Sequence, residues 1–154
     1  MSEVGDNLLA VTGKIAAACG RAGRDVSSVE LIAVSKTIAA ASVREAFEAG
    51  QYHFGESKIQ EAEPKIEALP SSLHWHFIGR VQRNKVRKLL QNFGVIHAVD
   101  SLRLASFANE VARELGLYPK VFLQVNIGQE TSKGGFGPEG LRAEMESLLT
   151  LKRD

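Results

Sequence analysis

Five short apolar, β-branched runs recur along the chain at nearly constant spacing, each followed by a small polar cluster and then a helical pattern that stops near glycine. The runs are Leu31 to Val34, Tyr52 to Phe54, Trp75 to Ile78, Val95 to Val99 and Val121 to Val125. Their starts at 31, 52, 75, 95 and 121 differ by 21, 23, 20 and 26 residues, the length of a compact βα unit. No two-residue hairpin signal separates them, so the strands are expected to be parallel. Apolar residues on both parities predict cover on both faces. Helices are expected from Ser42 to Ala49 before Gly50, from Lys58 to Leu69, from Asn84 to Phe93 before Gly94, and from Leu102 to Leu115 before Gly116. An earlier segment, Asp6 to about Gly20, carries Leu8, Val11, Ile15, Ala18 and Cys19 on one helical face with Asp6 or Asn7 as cap, and a last helix ends in LLTLKRD.

The fold class is therefore α/β, a repeat of parallel βα units. Five units permit a five-stranded doubly wound sheet or part of an eight-stranded barrel, and spacing alone does not choose. No GxGxxG or GxxxxGK[ST] phosphate loop occurs, which weakens a nucleotide-binding doubly wound sheet. The 154 residues, 44% hydrophobic, suit one globular domain spanning 1–154 without a linker. No apolar run approaches a membrane span and the first ten residues lack a secretory pattern, so a cytoplasmic protein without membrane attachment is expected. Cys19 is the single cysteine, which excludes an intramolecular disulfide, and it has no zinc-spaced neighbours, so no metal is expected. With 19 basic and 18 acidic residues the net charge is +1, and any polyanion site has to be local.

Parallel α/β folds carry their sites at the carboxyl ends of the strands. Those ends read Ser35-Lys36-Thr37, Gly55-Glu56-Ser57-Lys58, Ile78-Gly79-Arg80, Asp100-Ser101 and Asn126-Ile127-Gly128. Thr37, Asp100 and Ser101 fit ordinary helix caps. Lys36 follows a strand expected to be covered, where an ammonium loses hydration. Three roles stay open for it: an amine nucleophile toward an aldehyde, an ion-pair partner of Glu56 or Asp100, or a solvated rim position. His74 and His76 share one face of the third run and Trp75 and Phe77 the other, which places His76 nearer a pocket. The stretch Arg80 to Lys88 holds five basic residues in nine; Val81, Val86, Leu89 and Leu90 give it an apolar stripe, so a solvated basic face competes with a phosphate or RNA grip. The loop GQETSKGGFG, with Ser132 and Lys133, reads as mobile and compatible with an anion.

The phrases ELIAVSKT, EAFEAGQYHFGES, LHWHFIGRVQRNK, HAVDSLRLA and QVNIGQETSKGGF, from about Arg24 to Phe136, resemble in order and spacing the pyridoxal phosphate homeostasis proteins. That resemblance implies a partial TIM barrel like the N-terminal domain of alanine racemase, with about five of eight strands present. It implies pyridoxal 5′-phosphate (PLP) held as a covalent imine on Lys36 of the VSK phrase. The family's ring-side phrase falls on Phe54, Gly55, Glu56 and Ser57, where Ser57 replaces the usual asparagine. Its HFIG phrase covers His76, Phe77, Ile78 and Gly79, and its VNI phrase gives Asn126. The usual KP after the lysine is Ile38-Ala39 here. Family members continue for about three more βα units, whose Ser-Met-Gly-Met-Ser and Arg-x-Gly segments bind the cofactor phosphate, so the chain reads as the first five-eighths of such a protein. The implied role is PLP homeostasis without substrate turnover, with PLP-dependent apoenzymes as recipients and association through open sheet edges. A PLP-dependent amino-acid racemase is the enzymatic alternative. It needs a second acid/base on the other cofactor face, and Tyr52 and Tyr118, the only tyrosines, are not placed for it. A non-catalytic phosphate or RNA binder acting through Arg80 to Lys88 is the third.

Overall fold

In the computed structural model, five parallel strands pair in the order in which the chain makes them. They are β1 (Ala33–Val34), β2 (His53–Glu56), β3 (His74–Phe77), β4 (Val95–Val99) and β5 (Lys120–Leu123). The structure describes residues 2–128, 130 and 132–152. A doubly wound sheet reverses direction at a switch point, and this one does not. With right-handed crossovers, strictly sequential order puts every helix on the same side of the sheet, which is the winding of a barrel wall. The ambiguity left by the spacing is thereby settled in favour of a partial barrel.

The helices are α1 (Glu3–Ala22), α2 (Ala40–Glu48), α3 (Ile59–Ala68), α4 (Val86–Asn92), α5 (Leu102–Leu115) and α6 (Pro138–Leu149). α5 matches its expected limits because both signals are present: Ser101 Oγ accepts from Leu104 N–H, and Gly116 closes the helix at φ 66°. α1 begins earlier than expected, since Ser2 rather than Asp6 or Asn7 accepts from Gly5 N–H. Thr37 caps nothing; α2 starts after Ala39 without a side-chain cap. The stretch expected as one helix from Asn84 opens instead with a 3-10 turn, Arg83–Lys85, before α4, because neither Gln82 nor Lys85 supplies a capping side chain.

One core fills the space between sheet and helices. Phe54, Trp75, Phe77, Ile96 and Val99 face Val43, Ile59, Ala62, Val86, Leu89, Leu104 and Val111. The opposite, inner face is open toward its two edge strands, where Val34 is 53% exposed and Phe122 57%, while His76 at its centre is buried. The expectation of cover on both faces fails at the edge strands for this reason, since no helix among the described residues packs on the concave side. β1 shrinks to two residues instead of Leu31 to Val34, and β5 ends at Leu123 rather than Val125.

Candidate functional site at the carboxyl ends of the strands

β1 runs into a tight turn in which Ile38 N–H donates to the Ser35 carbonyl at 3.0 Å, with Lys36 and Thr37 at its centre. Thr37 has φ 65°, a left-handed conformation that costs a β-branched residue about 1–3 kcal/mol. Such strain persists only where surroundings impose it, and the surroundings are polar and buried. Ser35 Oγ donates to Glu56 Oε1 at 2.7 Å. Lys65 Nζ, from α3, donates to the same Glu56 oxygen and to the Ser35 carbonyl, both at 2.7 Å. Glu56 is fully buried and Lys65 is 8% exposed. A carboxylate and an ammonium thus brace the backbone that carries Lys36. Lys36 itself is exposed, at the carboxyl end of β1.

Two expectations change here. Lys36 is not dehydrated by a covered strand top, because the concave side of the sheet is open. Glu56 pairs with Lys65, not with Lys36. Lys65 escaped sequence reasoning, although a signal existed: at spacing 59, 62, 65 it lies on the buried stripe of α3, where an unpaired lysine is not tolerated.

Gly55 pairs with Val34 across β1 and β2. A Cβ at Gly55 would lie 3.3 Å from Ile32 Cγ2 and 3.3 Å from Ile78 Cδ1, so the absence of a side chain here lets the two isoleucines close over the buried glycine. A Cβ at Gly79 would sit 2.2 Å from the Ser57 carbonyl oxygen, which makes glycine the residue that lets the ends of β2 and β3 touch. Lys36, Gly55, Ser57, Ile78 and Gly79 therefore collect at the carboxyl ends of β1 to β3. Phe54 and Glu56 point the other way, Phe54 into the helix layer with its ring 5.9 Å from Trp75. Tyr52, at the amino end of β2, and Tyr118, before β5, lie at the opposite end of the strands from Lys36.

All four histidines of the chain stand on the inner face. His53 Nδ1 lies 3.0 Å from His76 Nε2, and His76 Nδ1 lies 3.0 Å from His97 Nε2. His53 stacks on His74 and His97 on Phe122. Burial, then the neighbouring imidazoles of His97 and His53, push His76 down to about 4. Burial also lowers His97. His74 and His76 share a face as their spacing predicts. His53 and His97 were missed because each looks isolated in its own strand, and only parallel pairing lines them up. With both ring nitrogens engaged by histidines, His76 belongs to this chain of rings rather than to the lip around Lys36.

Asn126 staples the loop that follows β5. Its Nδ2 donates to the Glu130 and Lys133 carbonyls at 2.9 and 3.2 Å, and its Oδ1 accepts from Glu130 N–H at 3.2 Å. Phe136 N–H donates to Gln124 and Phe136 itself is buried, so the described part of this segment is anchored where a mobile loop was expected; Gln129 and Thr131 lie outside the described residues. Lys133 pairs with Glu130. In the basic stretch, Arg87 pairs with Glu114, Lys88 pairs with Glu63 at 2.8 Å, and Arg83 sits 4.3 Å above the Phe107 ring. Arg80 and Lys85 line a cleft of about 320 Å³ with Ser57, Lys58, Phe77 and Gln82. No helix among the described residues is long and apolar enough to cross a membrane.

A parallel sheet wound in strictly sequential order is the wall of a βα barrel, and residues 10–153 match the family described as alanine racemase, N-terminal domain; the chain belongs to that family. Within it, the chain is similar to the pyridoxal phosphate homeostasis proteins, as its motifs imply. It is 45% identical over 153 residues to the Pyridoxal phosphate homeostasis protein of Pseudomonas aeruginosa, covering 98% of this chain and 66% of that one. For the protein of the same name from Escherichia coli K12 the figures are 42% identity over 140 residues, 88% and 59%. Among solved structures, PipY of Synechococcus elongatus PCC7942 with PLP bound superposes with TM-score 0.81 at 40% identity, covering 97% of this chain and 66% of that one. Alanine racemase of Clostridium difficile 630 in complex with cycloserine gives 0.67 at 18% identity, a likeness of fold. The chain thus spans about three-fifths to two-thirds of the length of these homeostasis relatives and of PipY.

Proposed function

We propose that this chain is the PLP-holding part of a homeostasis protein, with Lys36 as the attachment point and no dedicated substrate turnover. The observation that carries the reading is the braced turn. An exposed lysine follows the first strand of a barrel wall, its backbone strained at Thr37 and clamped through Ser35 by Glu56 and Lys65. PLP, when bound, supplies an aldehyde with which the Lys36 amine condenses, releasing water.

The residues present fit that group. Ile32 and Ile78 close over buried Gly55, and their half-exposed side chains offer an apolar surface to a flat ring beside the strand that ends at Lys36. Gly79 and Ser57 close the lip, and Asn126 shapes the neighbouring loop rather than offering a free amide. Lys65 and Glu56 act behind the site as positioning residues. The racemase alternative asks for a hydroxyl or other acid/base opposite Lys36, and both tyrosines lie at the other end of the strands. PLP-bound PipY and the relatives' shared name support the cofactor and the homeostasis role. A cytoplasmic location and transfer to PLP-dependent apoenzymes complete the reading.

Borohydride reduction of the PLP-loaded chain, followed by peptide mapping, tests it. The pyridoxyl mass should fall on the peptide containing Lys36. A label on Lys133 or Lys85 with Lys36 bare overturns the assignment, and amino-acid turnover well above free PLP that vanishes in Lys36→Ala overturns the non-enzymatic role.

A further inference from the structure

The histidine chain on the inner face stands apart from everything used above. We propose that Glu30, His53 and His76 form a binding site for a divalent transition metal of the zinc type. The argument starts from which atoms converge. Glu30 Oε1 lies 3.4 Å from His53 Nδ1 and 3.9 Å from His76 Nε2, and those two nitrogens are 3.0 Å apart. Among the described residues these three donors are the group close enough together to share one ion. With metal–ligand distances of about 2.0–2.1 Å, neighbouring vertices of a tetrahedron are about 3.3 Å apart. The three observed edges bracket that value, so an ion is accommodated by small side-chain adjustments. Glu30, exposed and ahead of β1, is free to make the largest of them.

The chemistry of the donors agrees with the spacing. Two imidazoles and one carboxylate form a borderline N₂O set that leaves a fourth position for water. A ligating histidine normally donates its other ring N–H to a fixed acceptor. His76 has that arrangement, since its Nδ1 faces His97 Nε2 at 3.0 Å, and His97 is in turn held by stacking on Phe122. Burial keeps the His76 ring neutral near pH 7, the form that ligates. In the free chain, one ring of the His53 Nδ1 and His76 Nε2 pair holds its proton between them; metal binding moves that proton to the other nitrogen of the same ring and gives both lone pairs a partner.

Position separates this site from the proposed cofactor lip. His53 is the first residue of β2 and Glu30 precedes β1, whereas Lys36 follows β1. Zinc binding and Lys36 labelling are therefore independent readouts, and either can fail without the other.

Zinc titration of the chelator-treated, PLP-free chain by calorimetry, with cobalt as an absorbing substitute, decides the matter. The expected result is one ion per chain, four-coordinate cobalt absorption in the visible, and a zinc-dependent rise in melting temperature. His53→Ala and Glu30→Gln should each weaken zinc by at least about tenfold and abolish the melting shift, because each removes one of three ligands. His74→Ala, which removes a neighbouring exposed histidine that is not a ligand, should change affinity by less than about threefold. Circular dichroism confirms that each variant is folded. Absence of saturable zinc uptake, unchanged affinity in both ligand variants, or an equal loss in His74→Ala overturns the site.

Discussion

Glu56 Oε1 and Lys65 Nζ meet at 2.7 Å in the buried layer between β2 and α3, and both also hold Ser35, one through its hydroxyl and the other through its carbonyl. Removing one member leaves an uncompensated buried charge. Lys65→Met or Glu56→Gln should each cost about 3–5 kcal/mol in a urea melt. The double variant Glu56→Leu/Lys65→Met should cost less than the two single losses added, since no charge remains to be buried. Additive losses would show that the pair does not act as a unit.

His76 makes stability depend on pH. Its folded value is about 4, set by burial and by His97 and His53, with His74 acting in the same direction and Glu30 against it. The ordinary value of about 6.5 holds in the unfolded chain. Between these values the unfolded state binds more protons, so unfolding free energy falls as pH drops from about 6.5 to about 4, by up to about 1.4 kcal/mol per unit. Above about 6.5 the term is absent. The metal-free chain and His76→Gln, melted side by side in chelator across that range, should differ in slope by about this amount. Parallel slopes would show that His76 takes up its proton without loss in the folded chain.

The fold was legible because the βα period, the Gly50 and Gly116 stops and the Ser101 cap are local signals. The site was legible in part. Lys36, Gly55 and Gly79 are marked by motif and strand end, whereas the Glu56–Lys65 pair and the His53–His76–His97 row exist only through pairing between elements. The dehydration expected of Lys36 failed because that reading assumed a covered inner face. Periodicity reports which strand residues are apolar and says nothing about what lies opposite them.

Gly79 allows a sharp contrast. An added methyl would meet the Ser57 carbonyl at 2.2 Å, a backbone atom that cannot rotate away. Gly79→Ala should cost about 1–3 kcal/mol or more and reduce PLP labelling of Lys36 by disturbing the ends of β2 and β3. Gly94→Ala, where nothing lies within 4 Å, should be close to neutral in both measurements. Equal behaviour of the two variants would remove the close-contact argument.

A polypeptide of these 154 residues should hold PLP less tightly than a full-length relative. It covers 66% of the Pseudomonas protein, and the motif resemblance implies that the phosphate-binding segments fall in the remaining part. Each charge-assisted phosphate contact is worth roughly 1.5–3 kcal/mol, so two or three missing contacts reduce affinity by several orders of magnitude. The cleft beside Arg80 and Lys85 is the competing source of such contacts. Equal affinity in side-by-side titrations, lost in Arg80→Ala, would show that the cleft has taken over the phosphate.

The same 154-residue chain should associate or be only weakly stable. β1 and β5 each pair on one side, leaving two rows of backbone donors and acceptors open. Between them the concave face presents Val34 and Phe122, each more than half exposed, with Ile127 beyond β5 at 81%. α1, the element free to cover that face, packs instead against α2 in the outer layer, so the chain does not close its own inner side. A second copy can bury these residues and pair the edges; alone, the sheet loses the side-chain layers that stabilise a closed barrel. Light scattering should therefore find dimers or larger species, or a urea melt should give a monomer with less than about 5 kcal/mol of stability. A monomer unfolding cooperatively with a stability well inside the range of about 5–15 kcal/mol would show that the helix-side core, from Phe54 to Val111, holds this wall without help from the inner face.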